Sequence, residues 1–427
     1  MTATRTRGET VAADTRRGLW ICWWIFPAFY TLFAVIFVPL TRVMPPPSPG
    51  MSVPEIAAFF AAHRAGIQIG FGLLMVVIGG GSILNGLVAH QMRRMTVNPA
   101  FAYGYIGTLA VGAIPGCLLA AFLFLTAALR PERDPHILAL LYDTGLLSFV
   151  GSMGCFAAQY LILAVAIFLD RNKIFPNWFA YVSLWQVVTE LLAGPVFVFR
   201  RGPFAWNGVI SFWEGTAIFG VYIACLIMLV RKAIERPPGA RPRPEARNLP
   251  GDIHMWVFVL GDLVIFSVYF IVYLVYRAHE PALFLAAQRH LSLIAGTVNT
   301  LVLLAGSQLA ARAVRAARDG NPDRALRRVA GAAACGAVFI VIKAGEWSAL
   351  IAGGHTVTSG DFFMFYFSLT GVHLFHVLLG LLILGIAVRE LRDPRLRRVR
   401  VVEACAVYWH MVDLLWVLLF ALLYVMR

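Results

Sequence analysis

The sequence predicts an all-α fold, a polytopic transmembrane helical bundle of about eleven spans arranged six plus five. Three observations lead there. First, 60% of the 427 residues are hydrophobic and only 14% are charged, with mean hydropathy +0.76. Soluble domains are about 45–50% apolar and about 25% charged, so this chain lacks the polar surface to cover itself in water. Second, apolar runs long enough to span a bilayer, roughly 20 residues each, recur along its length. Third, these runs do not alternate with a period of two, as a membrane barrel requires. In lipid the backbone must then satisfy itself within helices.

In chain order, the first part carries runs at 19–41, 66–89, 101–127, 139–169, 177–199 and 207–230. The second part carries runs at 254–276, 288–311, 330–352, 361–388 and 403–426. The polar start with Arg5, Arg7, Arg16 and Arg17 leads into an apolar run too long for a signal-peptide core and without a small-residue cleavage site. It reads as a retained first span. Pro45, Pro46, Pro47 and Pro49 mark an irregular loop. Gly70, Gly72 and Gly79 to Gly81 mark close packing or a weak point in span two. The stretch RKAIERPPGARPRPEARNLPGD, with five prolines, is a solvated linker. The expected organisation is a six-span module at 1–230, a basic Pro-rich cytoplasmic linker at 231–253, and a five-span domain at 254–427.

The formal charge of +14 follows the loops. Arg16 and Arg17, Arg93 and Arg94, Arg171 and Lys173, then the segments 231–247, 312–328 and 389–400 lie on alternate sides of the predicted spans. Arg200 and Arg201 are the exception. The positive-inside rule expects a cytoplasmic N-terminus and an external C-terminus in the plasma membrane, the bacterial inner membrane. No basic face is free of a nearby span, which argues against nucleic acid as a partner. The six cysteines sit in or beside apolar runs and form no C-x-x-C spacing, as small core residues would.

Ionisable groups inside spans need partners. Asp262 lies in span seven. Lys343 and Glu346, three apart in span nine, share a face and can neutralise one another. Thr370, His373 and His376 lie in span ten. Glu403, His410 and Asp413 fall on one side of span eleven. These groups form an expected intramembrane polar seam, with His373 and His376 as partners for the span-eleven set. No spacing is specific for zinc or copper, so neither a metal site nor a catalytic residue is expected in this chain. In the first part, Gln68, Asn85, Asp143, Gln159, Gln186, Glu190 and Glu214 lie in or near spans. They read as helix–helix hydrogen-bonding groups ahead of a transport path, and no transporter signature is present.

The run Thr370-Gly371-Val372-His373 with His376 resembles the T-G-x-H-x-x-H-V stretch of subunit III of the haem-copper oxidases. Glu403, Tyr408-Trp409-His410, Val412-Asp413 and Trp416 resemble that family's E-A-x-x-x-Y-W-H-x-V-D-x-x-W ending. Lys343, Glu346 and Trp347 resemble its K-x-x-E-aromatic helix, and Met255 to Phe258 with Asp262 and Phe266 resemble its first shared helix. One departure stands out: most members carry Glu where this chain has Asp262. The phrase MWVFVLGD looks more like the NorE-type accessory proteins linked to nitric oxide reductases.

The resemblance implies a non-catalytic subunit without redox centres, with haem and copper in partner subunits. The implied partners are catalytic subunit I and subunit II of a haem-copper oxidase, or the nitric oxide reductase subunits. It further implies phospholipid held in a cleft and support of proton uptake in aerobic or nitric-oxide electron transport, with Asp262 as the proton and lipid-cleft candidate. The alternative is a transporter, or a transient oxidase assembly factor, built on the N-terminal module.

Overall fold

The computed structural model describes residues 2–236, 253–394 and 398–426, so residues 237–252 of the expected linker lie outside the described residues. The chain divides into two compact units, Met1–Pro244 and Glu245–Arg427. Among the described residues every regular element is helical, and eleven helical stretches are long and apolar enough to cross a membrane. Their outer faces carry exposed apolar side chains such as Val76, Val264, Ile294, Val341 and Leu382. Such a belt is stable only against lipid tails.

The first unit begins with α1 (Thr2–Thr41) and then α2 (Val53–Val77) and α3 (Gly80–Met92), two halves of a single span that breaks at Ile78 and Gly79. Next come α4 (Ala100–Ala113), a π-helical stretch (Ile114–Leu119) and α5 (Ala120–Leu129), again one span. The stretch contains Pro115, which lacks the N–H a regular helix needs. A third interrupted span follows as α6 (Pro135–Gly151) and α7 (Met153–Leu169), with Ser152 between them. The unit closes with α8 (Asn177–Leu192) and α9 (Gly215–Glu235).

The breaks divide this unit into two stacked layers. One core joins Phe37 of α1 to Phe60 and Phe71 of α2, Phe124 of α5 and Tyr142 of α6. The other joins Trp23 and Phe26 of α1 to Val88 of α3, Tyr105 of α4, Tyr160 of α7, Phe179 of α8 and Tyr222 of α9. The basic loops beside the second layer tie the unit together. Arg94 donates to the carbonyls of Ala233 and Arg236, and the Thr96 amide donates to Asp170.

The second unit contains α10 (Ile253–His279), the short α11 (Pro281–Gln288), α12 (Leu293–Arg318), α13 (Pro322–Ala352), α14 (Asp361–Arg392) and α15 (Val399–Phe420), which ends in a π-helical turn (Ala421–Val425). The short α11 is not among the predicted spans, because eight residues are too few to cross a bilayer. α12 and α13 pair along their length through a tight turn. Gly320 takes φ +72°, and the Asn321 amide reaches back to the carbonyl of Ala316 while its side chain caps α13.

α15 packs against α12, α14 and α10. Its Trp409 is fully buried because glycines on neighbouring helices make room for the indole. A Cβ at Gly336 would stand 2.6 Å from Trp409 Cη2, and one at Gly380 would stand 3.1 Å from Cε3.

Candidate functional site

The ionisable groups of the second unit fall into three clusters around α15. The first lies between α10 and α14. Asp262 and His376 are each 1% exposed, and Oδ2 of Asp262 lies 3.7 Å from Nε2 of His376. Nδ1 of His376 is 2.8 Å from the carbonyl of Val372, one turn earlier, so Nδ1 carries a proton and donates. Nε2 is thereby turned toward the carboxyl group. The imidazole packs edge-on to Phe266 of α10, with ring centroids 5.2 Å apart. Tyr408 of α15 closes the cluster, stacking on Phe258 and donating to the carbonyl of His376.

The second cluster joins α13, α14 and the end of α15. Lys343 is fully buried and donates to Glu346 Oε2 and to the Tyr424 hydroxyl, each at 2.7 Å. Tyr424 in turn donates to Glu346 at 2.8 Å. The ammonium also lies over the rings of Trp416, Tyr424 and Tyr366, at 4.6, 5.2 and 5.3 Å from their centroids. A carboxylate on one side and three ring faces on the others replace the water such a charge would otherwise need. Thr370 donates to the carbonyl of Tyr366 and accepts from the indole of Trp347. His373 sits between the rings of Phe339 and Trp416, and its Nε2 donates to the carbonyl of Val412 at 3.1 Å.

The third cluster faces α12. Glu403 pairs with Arg318 at 2.7 Å, at the solvent-accessible end of both helices. Nδ1 of His410 lies 2.6 Å from the Ser307 hydroxyl. Asp413 is 4% exposed, and among the described residues neither of its carboxyl oxygens makes a hydrogen bond.

Glu403, His410 and Asp413 thus share a side of α15, but it is the side turned to α12. The expected pairing of these groups with His373 and His376 does not form, because α14 meets a different face of α15, lined by Tyr408 and Val412. The histidines of α14 instead donate to carbonyls on α14 and α15, and Nε2 of His376 faces the Asp262 carboxyl at 3.7 Å. Sequence reasoning missed two of the groups that matter most, Tyr424 and Tyr366. The pointer to Tyr366 is its place four residues before Thr370, and Tyr424 enters only through the π-helical turn that ends α15. Among the described residues no group of three or more His, Cys, Asp or Glu is placed to hold a metal ion.

In the first unit, the amide of Gln159 donates to that of Asn85 at 2.9 Å, joining α7 to α3. Gln68 donates to the carbonyl of Ala128, and Gln186 to Glu190. These groups hold helices to one another or bond within one.

The model of cytochrome c oxidase subunit III matches residues 252–427, the whole of the five-span unit from α10 to the C-terminal turn. A cytochrome c oxidase subunit 3 of Synechocystis is 32% identical over 174 residues, covering 40% of this chain and 73% of that protein. The chain belongs to the cytochrome c oxidase subunit III family. Another subunit 3, from Corynebacterium diphtheriae, is 29% identical over 191 residues, 43% of this chain and 93% of that one. A haem-copper oxidase subunit I+III of Aeropyrum pernix is 28% identical over 178 residues, 40% of this chain but only 22% of that longer protein. The chain is accordingly a multi-pass membrane protein and a subunit III-like component of the haem-copper oxidase type. In the subunit III unit, the motif residues Asp262 and His376 meet across two helices, while Lys343 and Glu346 meet along one.

Proposed function

We propose that this chain is the redox-centre-free third subunit of a haem-copper respiratory complex in the bacterial plasma membrane, its N-terminus cytoplasmic and its C-terminus external. In this reading the subunit III unit packs beside the catalytic subunit I and subunit II, which carry the haem and copper, and supports lipid binding, stability and proton uptake. The observation that carries it is the way the unit spends its histidines. His373, His376 and His410 each commit a ring nitrogen to a carbonyl or hydroxyl that joins or rigidifies helices. Such groups support a scaffold that joins helices and a proton-handling edge. Asp262 and His376 are the pair to which we assign that edge. With Nδ1 donating to Val372, one further proton, on Oδ2 or on Nε2 3.7 Å away, makes the pair neutral overall. The basic, Pro-rich segment 231–253 then joins the six-span module at 1–230 to the subunit III unit at 254–427.

A second reading places the chain beside a nitric oxide reductase, and the observation favouring it is Asp262 in place of the family's usual Glu. Purification of the tagged chain from its native membranes in mild detergent, followed by a reduced-minus-oxidised haem spectrum, tests both. We expect haem-containing partners in fixed stoichiometry. Consumption of oxygen or of nitric oxide by the same preparation then distinguishes the acceptors. A chain that purifies without haem refutes the subunit reading and leaves a transporter. Incomplete complexes point to a transient assembly factor.

A further inference from the structure

A cavity of about 430 Å³ opens at the end of the subunit III unit where α12 begins and α13 ends. Its walls are apolar along Ala295, Ile342 and Leu350, and Glu346 contributes to its lining from the buried Lys343 and Tyr424 cluster. Two histidines from different loops also line it. His290 lies in the turn between α11 and α12, and His355 follows the glycine turn that ends α13, where Gly354 takes φ +82°.

The two imidazoles touch, with ring centroids 4.3 Å apart. The His355 ring is held in place by stacking on Phe363, at 4.6 Å and 13°. Its backbone is fixed by donation to the carbonyl of Leu350. Among the described residues neither ring makes a hydrogen bond, and with His290 exposed and His355 half-buried the nitrogens are open to water. The rings stand in contact at the wall of the cavity with nitrogens that no other side chain claims, so one ion entering there can take a nitrogen from each.

We propose that His290 and His355 form a binding site for a divalent transition-metal ion, zinc foremost, taken up from the aqueous phase at this end of the bundle. Zinc takes imidazole nitrogens at about 2.0–2.1 Å in tetrahedral array, which sets two such nitrogens roughly 3–3.5 Å apart. Rings already in contact reach that spacing by rotating about their side-chain bonds. Water in the cavity supplies the remaining positions, and Ser292 lies within the same lining as a further oxygen. Two protein ligands make an exchangeable site, unlike a resident structural centre, which takes four. The bound ion would join the α11–α12 loop to the α13–α14 loop at the cavity that Glu346 lines.

The test is zinc binding by the purified full-length chain, measured by equilibrium dialysis and by calorimetry. The wild type is compared with His290→Phe, His355→Phe and the double variant. Phenylalanine keeps a ring to pack against Phe363 and removes only the nitrogens, so folding is preserved. His279→Ala serves as the control, since its ring is an exposed partner of the Val275 carbonyl. We expect one zinc ion in the wild type and in the control, at least about a 10-fold loss of affinity in each single variant, and no ion at this site in the double variant. Unchanged binding in the double variant, or no uptake by the wild type at micromolar free zinc, overturns the proposal. If a phenylalanine variant fails to fold, His290→Asn and His355→Gln carry the same comparison.

Discussion

Glu346→Gln should reveal how the buried Lys343 ammonium is kept in the membrane. Lys343 is fully buried and donates to Glu346 at 2.7 Å. Removing one member of a buried ion pair costs about 3–5 kcal/mol, because the other charge is stranded. Two features lower that figure here. Glutamine keeps a carbonyl oxygen where the carboxylate was, and the ammonium still lies over the rings of Trp416, Tyr424 and Tyr366. We therefore expect a loss of about 2–3 kcal/mol. Lys343→Met should cost more, about 3–5 kcal/mol, because the three ring faces offer nothing to the stranded Glu346 carboxylate. The double variant Lys343→Met with Glu346→Leu replaces both charges with apolar groups and should return to within about 1 kcal/mol of the wild type. Unfolding free energies from detergent-denaturant titration in mixed micelles give all three values and the coupling energy of the pair. If Glu346→Gln costs more than Lys343→Met, the ring cage is not what supports the ammonium; if it is as stable as the wild type, the carboxylate is not what supports it.

Gly336→Ala should destabilise the subunit III unit by about 1–3 kcal/mol through overpacking, since its Cβ would stand 2.6 Å from Trp409. Gly345→Ala, nine residues on in the same helix with open space around it, should cost nothing and can gain up to about 1 kcal/mol in helix propensity; paired thermal melts compare the two. Arg318→Ala should cost less than about 1 kcal/mol, because the Arg318 side chain is half exposed, and the difference should vanish in high salt. Asp262→Asn should leave insertion and assembly level intact yet shorten sustained turnover of the holo-complex, measured over many catalytic cycles at matched subunit content. Unchanged persistence would remove Asp262 from the proton-handling role.

The span count was legible because apolar length is a bulk property that tertiary packing seldom alters. Eleven runs read from the sequence meet eleven long apolar helices among the described residues. The interruptions were legible only where the sequence marks them. Gly79, Gly80 and Gly81 flagged the break that separates α2 from α3. The break at Ser152 between α6 and α7 has no comparable signature, since a lone serine in an apolar run reads as helix. The two-layer core of the first unit follows from three such breaks at similar depth. A hydropathy profile averages over them, and the layering emerges only when α2, α5 and α6 are seen to share one core and α3, α4 and α7 another.

The polar groups show a sharper limit of the same kind. Helical spacing states which residues share a face, so Lys343 with Glu346, and Glu403 with His410 and Asp413, could be grouped before any packing was known. It does not state which neighbour that face meets. Adjacency in the chain suggested α14 as the partner of α15, and α14 does touch it, but with Trp409, Tyr408 and Val412 filling the interface. The carboxyl and imidazole groups were left to face α12, where Ser307 and Arg318 await them. The determinant is volume: the Trp409 indole, admitted by Gly306, Gly336 and Gly380, fills the space between α12, α13 and α14, and the polar groups take what remains of the face toward α12. Enlarging Gly380 should therefore act on the polar side as well. A Cβ there meets Trp409 at 3.1 Å, and pushing the indole toward α12 would strain the 2.6 Å contact between Ser307 and His410. Gly380→Ala should lose about 1–3 kcal/mol alone. Combined with Ser307→Ala it should lose measurably less than the sum of the two single losses, because the strained bond is already gone. Strict additivity in that cycle would show that the two sides of α15 pack independently.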